Sequence, residues 1–110
     1  MSRQGRVFVF GSFAGVLKEL DDGGYTFAYD VNYLAKPGAK AVSLTMPLQA
    51  EPYVSKALFP FFDGLIPEGW LLNIATKNWK IDPRDRMNLL LHVCSDCIGS
   101  VHIEPIKKVG

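Results

Sequence analysis

Asp21-Asp22-Gly23-Gly24-Tyr25-Thr26-Phe27-Ala28-Tyr29 is the stretch from which the fold is read. Asp and Gly tolerate the positive φ of a tight turn, so the first four residues close one strand and open the next. Aromatic side chains then recur at every second position, the period of a strand with one buried face. Tyr25, Phe27 and Tyr29 are therefore expected on one side of a sheet.

Towards the N-terminus, Gly15 to Leu20 reads as the strand that feeds this turn. Arg6 to Phe10, rich in Val and Phe, reads as its hairpin partner across Gly11 and Ser12. Towards the C-terminus, a short segment around Val31 to Leu34 and a Lys36-Pro37-Gly38 turn lead to Ala41 to Met46. That run reads as a fourth strand, closed by Pro47, which has no N–H to give a ladder.

From Ala57 the pattern becomes helical. Phe59, Phe61 and Phe62 are expected to fill core in a short apolar stretch ended by Asp63-Gly64. A longer helix is predicted from Pro67 to about Trp79, proline being well tolerated in a first helical turn. A third is predicted with Asp82 as N-cap, Pro83 as its first residue and Asp85 favouring the helix dipole, running to about His92. Gly99 breaks the pattern, and Ser100-Val101-His102-Ile103 alternates as a last strand before Pro105 and a basic tail.

The predicted class is α+β: a small antiparallel sheet or partial barrel, of four N-terminal strands and one C-terminal strand, packed with about three helices. Its 110 residues suit one domain, structured from about 6 to 105 with 106–110 as a tail. Apolar residues at 48% and charged residues at 21% match a folded globular chain. Twelve Lys and Arg against eleven Asp and Glu leave a net charge of +1, which provides no long-range field for nucleic acid or anionic lipid. No apolar run approaches the roughly 20 residues of a membrane helix, and no signal-peptide core is present. Two cysteines three positions apart would close only a very small loop, which suits a reducing compartment. A cytoplasmic location is the expectation.

Neither a Gly-rich phosphate loop, a G-x-S-x-G elbow nor an H-E-x-x-H pair occurs, so the chain is expected to be no enzyme and to need no cofactor. His92, Cys94, Cys97 and His102 are the one constellation with ligand chemistry, and a zinc or redox module is the alternative they hold open. Their spacing matches no common zinc pattern, and Cys94 follows a helix, whereas a helix N-terminus is what activates a redox thiol. Two small hydrophobes beside a turn are the simpler reading of the pair.

Pro67-Glu68-Gly69-Trp70 heads the second predicted helix. At ~100° per residue, Leu71, Leu72, Ile74, Ala75 and Trp79 share one arc, and Gly69, Asn73, Thr76, Lys77 and Lys80 the other. Trp70 falls beside Asn73 and Lys77 on the flank of the polar arc. It either packs sideways against a neighbour or projects as a binding anchor, the role in which tryptophan is most enriched.

Four blocks stand in a telling order: Ser43-Leu44-Thr45-Met46-Pro47-Leu48, Phe61-Phe62-Asp63-Gly64-Leu65-Ile66-Pro67-Glu68-Gly69, Asp82-Pro83, and Asp96-Cys97-Ile98-Gly99. Together they resemble the N-terminal subdomain of HipA-type serine/threonine kinases. The resemblance runs from the first strand to Pro105 and stops where such kinases continue into their ATP-binding core. It implies a HipS-like antitoxin of a split toxin–antitoxin system, one that binds a HipT-like kinase and inhibits its phosphoryl transfer, with a HipB-like DNA-binding repressor as a further partner. A non-inhibitory structural subunit of the same complex is the alternative. The implied partner-binding residues are Pro67, Glu68, Gly69, Trp70, Asn73 and Lys77, with Asp96 and Gly99 in a second rank. The family often carries a glycine and an arginine ahead of that aspartate, where Cys94 and Ser95 stand here, and Ser100 replaces a common alanine. A role tied to the arginine therefore does not carry over.

Overall fold

In the computed structural model, which describes residues 3–66, 85–93 and 101–106, the strands are β1 (Gln4–Val9), β2 (Ser12–Glu19), β3 (Tyr25–Tyr29), β4 (Tyr53–Ser55) and β5 (Val101–Pro105). They form one antiparallel sheet in the order β4-β3-β2-β1-β5, open between its two edge strands. Three short helices, α1 (Val31–Leu34), α2 (Pro60–Asp63) and α3 (Arg86–Val93), complete the described elements. The α+β class and the five-stranded antiparallel sheet agree with the reading of the sequence.

Local chemistry explains most of these boundaries. The β1–β2 hairpin turns on Phe10 and Gly11, whose φ values of 48° and 79° give the two positive angles of a type I′ turn. At the β2–β3 turn, Gly23 adopts φ 90° and the Asp22 carboxylate accepts from the Gly24 N–H, as expected for Asp-Asp-Gly-Gly. Asp30 caps α1 by accepting from the N–H groups of Asn32 and Tyr33. Pro60 opens α2 and Gly64 closes it.

Alternation along the strands sends Val7, Val9, Leu17, Phe27, Tyr29, Val101 and Ile103 into one buried cluster. Phe59, Phe62, Met87, Leu89, Leu90 and Leu91 join it from α2 and α3 and their flanks. Phe27 is completely buried, 4.9 Å from the Tyr29 ring and 5.4 Å from that of Phe62. Truncating such a residue costs about 3–5 kcal/mol. Among the described residues no helix is long and apolar enough to cross a membrane.

Two expected elements differ. Ala41 to Met46 is no strand; it is a loop carrying a single bridge between Ser43 and Met46. The fourth strand is Tyr53–Ser55, paired with β3 through Tyr25–Ser55, Thr26–Val54 and Phe27–Tyr53. Helix α3 opens at Arg86, and the Oδ1 of Asp85 accepts from the Asn88 N–H, so Asp85 performs the capping contact expected of Asp82. Asp82 and Pro83 themselves lie outside the described residues, as does the helix predicted from Pro67 to Trp79.

Gly15 has a packing reason that composition does not reveal. The β1–β2 pairing shifts between Val7–Gly15 and Phe8–Phe13, leaving a bulge at Ala14, while Gly15 pairs with Tyr29 of β3. A Cβ placed there would lie 2.2 Å from the Ala28 carbonyl oxygen and 3.0 Å from the Tyr29 Cα, both backbone atoms. Gly15→Ala should therefore destabilise the domain by roughly 1–3 kcal/mol, the usual range for overpacking. Urea unfolding checks this; an unchanged midpoint would mean that the strands separate freely at this point.

Candidate functional site

All the site residues named from the sequence, Pro67, Glu68, Gly69, Trp70, Asn73, Lys77, Asp96 and Gly99, lie outside the described residues. The structure does define the frame on which the 67–84 segment is carried. Ile66 is buried in the core immediately before it. Immediately after it, Arg86 donates through Nε to the Asp63 carboxylate at 2.5 Å, joining the start of α3 to the end of α2. The chain therefore leaves and re-enters the described fold at two places linked by an ion pair.

A second charged group fixes the re-entry point. Arg3 donates Nε and Nη2 to Glu19 at 2.7 and 2.8 Å, and Nη1 and Nη2 to Asp85 at 2.9 and 2.7 Å. This double fork ties the N-terminal end of the sheet to the start of α3. The Arg3 hydrogen bonds hold the Asp85 carboxyl below the usual aspartate range, against the opposing effect of its partial burial. Donating hydrogen bonds to Glu19 and then to Asp85 raises the pKa of Arg3, which stays cationic.

The loop that replaces the expected fourth strand is held by tyrosine hydroxyls. Tyr29, buried in the sheet, donates to the Met46 carbonyl and accepts from the Val42 N–H at 3.0 Å. Burial raises its pKa, so it remains a protonated donor. Tyr33 donates to the Lys40 carbonyl at 2.6 Å and accepts from the Lys40 N–H at 3.1 Å. Tyr53 donates to the Pro47 carbonyl at 2.6 Å. At the turn, Ser43 Oγ accepts from the Thr45 N–H at 3.2 Å and lies 3.0 Å from the Thr45 hydroxyl.

With Val42 and Met46 buried on either side, Leu44 projects fully into solvent. Lys40 places its ammonium 5.2 Å from the centre of the Phe10 ring, and Phe10 is itself 69% exposed. One open depression is lined by Lys40, Ala41, Ser43, Leu44 and Pro47. Another, sharing Lys40, runs from Phe10 and Ser12 to Tyr33 and the Lys36-to-Ala39 turn. Sequence reasoning missed this face; the available signal was Tyr29 at the end of β3 and Tyr33 four residues on in α1, ahead of a loop closed by proline.

Of the four residues with metal-ligand chemistry, only the His102 side chain is described. It stacks on Phe8 at 4.6 Å and lies 3.4 Å from the Glu104 carboxylate. Among the described residues no three His, Cys, Asp or Glu side chains are grouped to hold a metal ion.

Comparison with known proteins agrees with this architecture. The family model for the HipA N-terminal domain matches residues 5–104. An uncharacterized protein of Haemophilus influenzae is 37% identical over 106 residues, covering 96% of this chain and 95% of that protein. A putative kinase of Sinorhizobium fredii, Y4mE, is 26% identical over 95 residues, covering 86% of this chain but only 23% of the kinase. Among solved structures, an N-terminal domain of HipA toxin aligns with a TM-score of 0.74 and 33% identity, covering 97% of this chain and 95% of that one.

Two outcomes follow from the geometry. Because the folded Asp85 pKa lies below its unfolded value, its stabilisation is present above about pH 4 and is lost as pH falls through the folded value. Asp85→Asn should cost about 1 kcal/mol at neutral pH, allowing for solvent screening, and should flatten the acid limb of a stability–pH curve. An unchanged acid limb would show that the Arg3 fork contributes nothing. Tyr29→Phe leaves the Met46 carbonyl and Val42 N–H without their partner, at a cost of about 1–3 kcal/mol. Hydrogen exchange should accelerate at Val42 before it does in β1 or β2, and uniform protection there would contradict the pinning role.

Proposed function

The chain belongs to the HipA N-terminal domain family, and from that premise we propose that it acts as an antitoxin, binding a HipT-like serine/threonine kinase and restraining its phosphoryl transfer without chemistry of its own. Family membership places it in a HipA-related toxin–antitoxin context, and the domain it matches is not the kinase catalytic domain. The observation that carries the reading is a contrast between relatives. In the Sinorhizobium fredii putative kinase the matched region is under a quarter of the polypeptide, whereas in the Haemophilus influenzae relative it is nearly all of it. One domain thus occurs both as part of a chain named a putative kinase and as a protein of this size.

On this reading the domain docks on the kinase N-lobe where a fused subdomain would sit. Trp70, with Pro67, Glu68, Gly69, Asn73 and Lys77, would meet the active-site cleft, with Asp96 and Gly99 as second-rank contacts. Kinase catalysis depends on positioning nucleotide, metal and substrate, so occupying that cleft or holding it open is enough to stop transfer. A HipB-like repressor joins the complex without direct contact between this chain and DNA, consistent with a net charge of only +1.

Co-purification with a HipT-like kinase from the same organism, followed by phosphorylation assays with and without the chain, tests the proposal. The expected result is a stable complex with suppressed transfer. A fully active complex would reduce the chain to a structural subunit, and absence of a complex would remove the kinase from the picture. Trp70→Ala should weaken binding by roughly 2–4 kcal/mol and release kinase activity while the domain stays folded. Full neutralisation by that variant would exclude Trp70 as the anchor.

A further inference from the structure

We infer that the face built from Phe10, Lys36, Lys40 and Leu44 is a second docking surface for the kinase, received there by an apolar pocket bordered by carboxylates. The inference rests on the antitoxin reading and adds to it an interface remote in sequence from Trp70.

Leu44 projects from a turn whose backbone is tied down on both sides by buried or half-buried tyrosine hydroxyls, so an apolar side chain is presented in one position. Presenting it costs little further ordering when a partner arrives, which is the condition under which an exposed anchor contributes most. Phe10 strengthens the case. It is a bulky residue at φ 48°, where an L side chain is strained, in a hairpin turn that Asn or Gly would fill more readily. Its ring is nevertheless left largely in solvent beside the Lys40 ammonium. Both features have a use when the ring is covered.

Charge selects the occupant. The described residues lining the two depressions include Lys36 and Lys40 and no carboxylate. A second copy of the chain would bring the same lysines together if it docked by this face, whereas a partner with an apolar centre and acidic rim complements it. In the Sinorhizobium fredii relative, more than three quarters of a putative kinase lies beyond the matched region, and it can supply that partner surface within one polypeptide.

The test compares kinase affinity of the full chain carrying Leu44→Asp, Lys40→Glu or, as a control, Val54→Asp. Val54 is exposed on β4, where alternation turns it away from Tyr53 and the core. The expected losses are about 30-fold for Leu44→Asp and about tenfold for Lys40→Glu, with Val54→Asp within about twofold of wild type. Unchanged thermal midpoints verify that the variants fold. Wild-type affinity in both Leu44→Asp and Lys40→Glu would overturn this surface while leaving the antitoxin reading intact. Failure of wild type itself to bind would overturn both. Sedimentation of the chain alone adds a further discriminator: a dimer abolished by Leu44→Asp would assign the face to a second copy and overturn the proposal.

Discussion

The hydroxyl of Tyr29 connects the sheet to everything built on its open end. Its ring belongs to the covered face of β3, with Phe27 4.9 Å away, and its oxygen lies where the chain passes after α1. The phenol, the Met46 carbonyl and the Val42 N–H would each lose hydration on burial. Each is satisfied by the same two hydrogen bonds. Since an unmet buried polar group costs about 1–3 kcal/mol, the core and the loop are stabilised or lost together.

That constraint also explains where Ala41 to Met46 departs from its expected strand. Val42 and Met46 face inwards and Leu44 outwards, which is strand-like alternation, and the sequence pattern records it faithfully. What the pattern omits is the source of the hydrogen bonds. Tyr29 and Tyr33 supply partners for Val42, Met46 and both backbone groups of Lys40, so the segment needs no neighbouring strand for them. The strand that does pair with β3, Tyr53–Ser55, is three residues long and follows Pro52, too short for periodicity to register.

Elements governed by local chemistry were legible. Asp-Asp-Gly-Gly sets the β2–β3 turn, the aromatic alternation places β3, and Val101–Pro105 closes beside β1. Elements governed by distant partners were not. Arg3 carries no local signal, yet it binds Glu19 and Asp85, residues separated widely along the chain. Gly15 reads as an ordinary strand start, but its necessity comes from the backbone of Ala28 and Tyr29. The Trp70 surface was legible as a motif only, because its residues lie outside those the structure describes.

If the domain acts as proposed, energetics favours more than one contact surface. One tryptophan anchor contributes roughly 2–4 kcal/mol, whereas nanomolar association needs about 12 kcal/mol after translational and rotational freedom has been lost. One such anchor alone falls short of this, and standard interfaces accordingly bury about 800 Å² on each partner. On the proposed reading, more than one surface would meet the kinase, and the described fold already orders the backbone beside each. Arg86–Asp63 and the Arg3 fork fix the places between which the 67–84 segment is carried, and the tyrosines fix the Leu44 turn. A kinase subdomain separated from its catalytic core would need this rigidity more than a fused one, because no covalent link supplies an effective concentration.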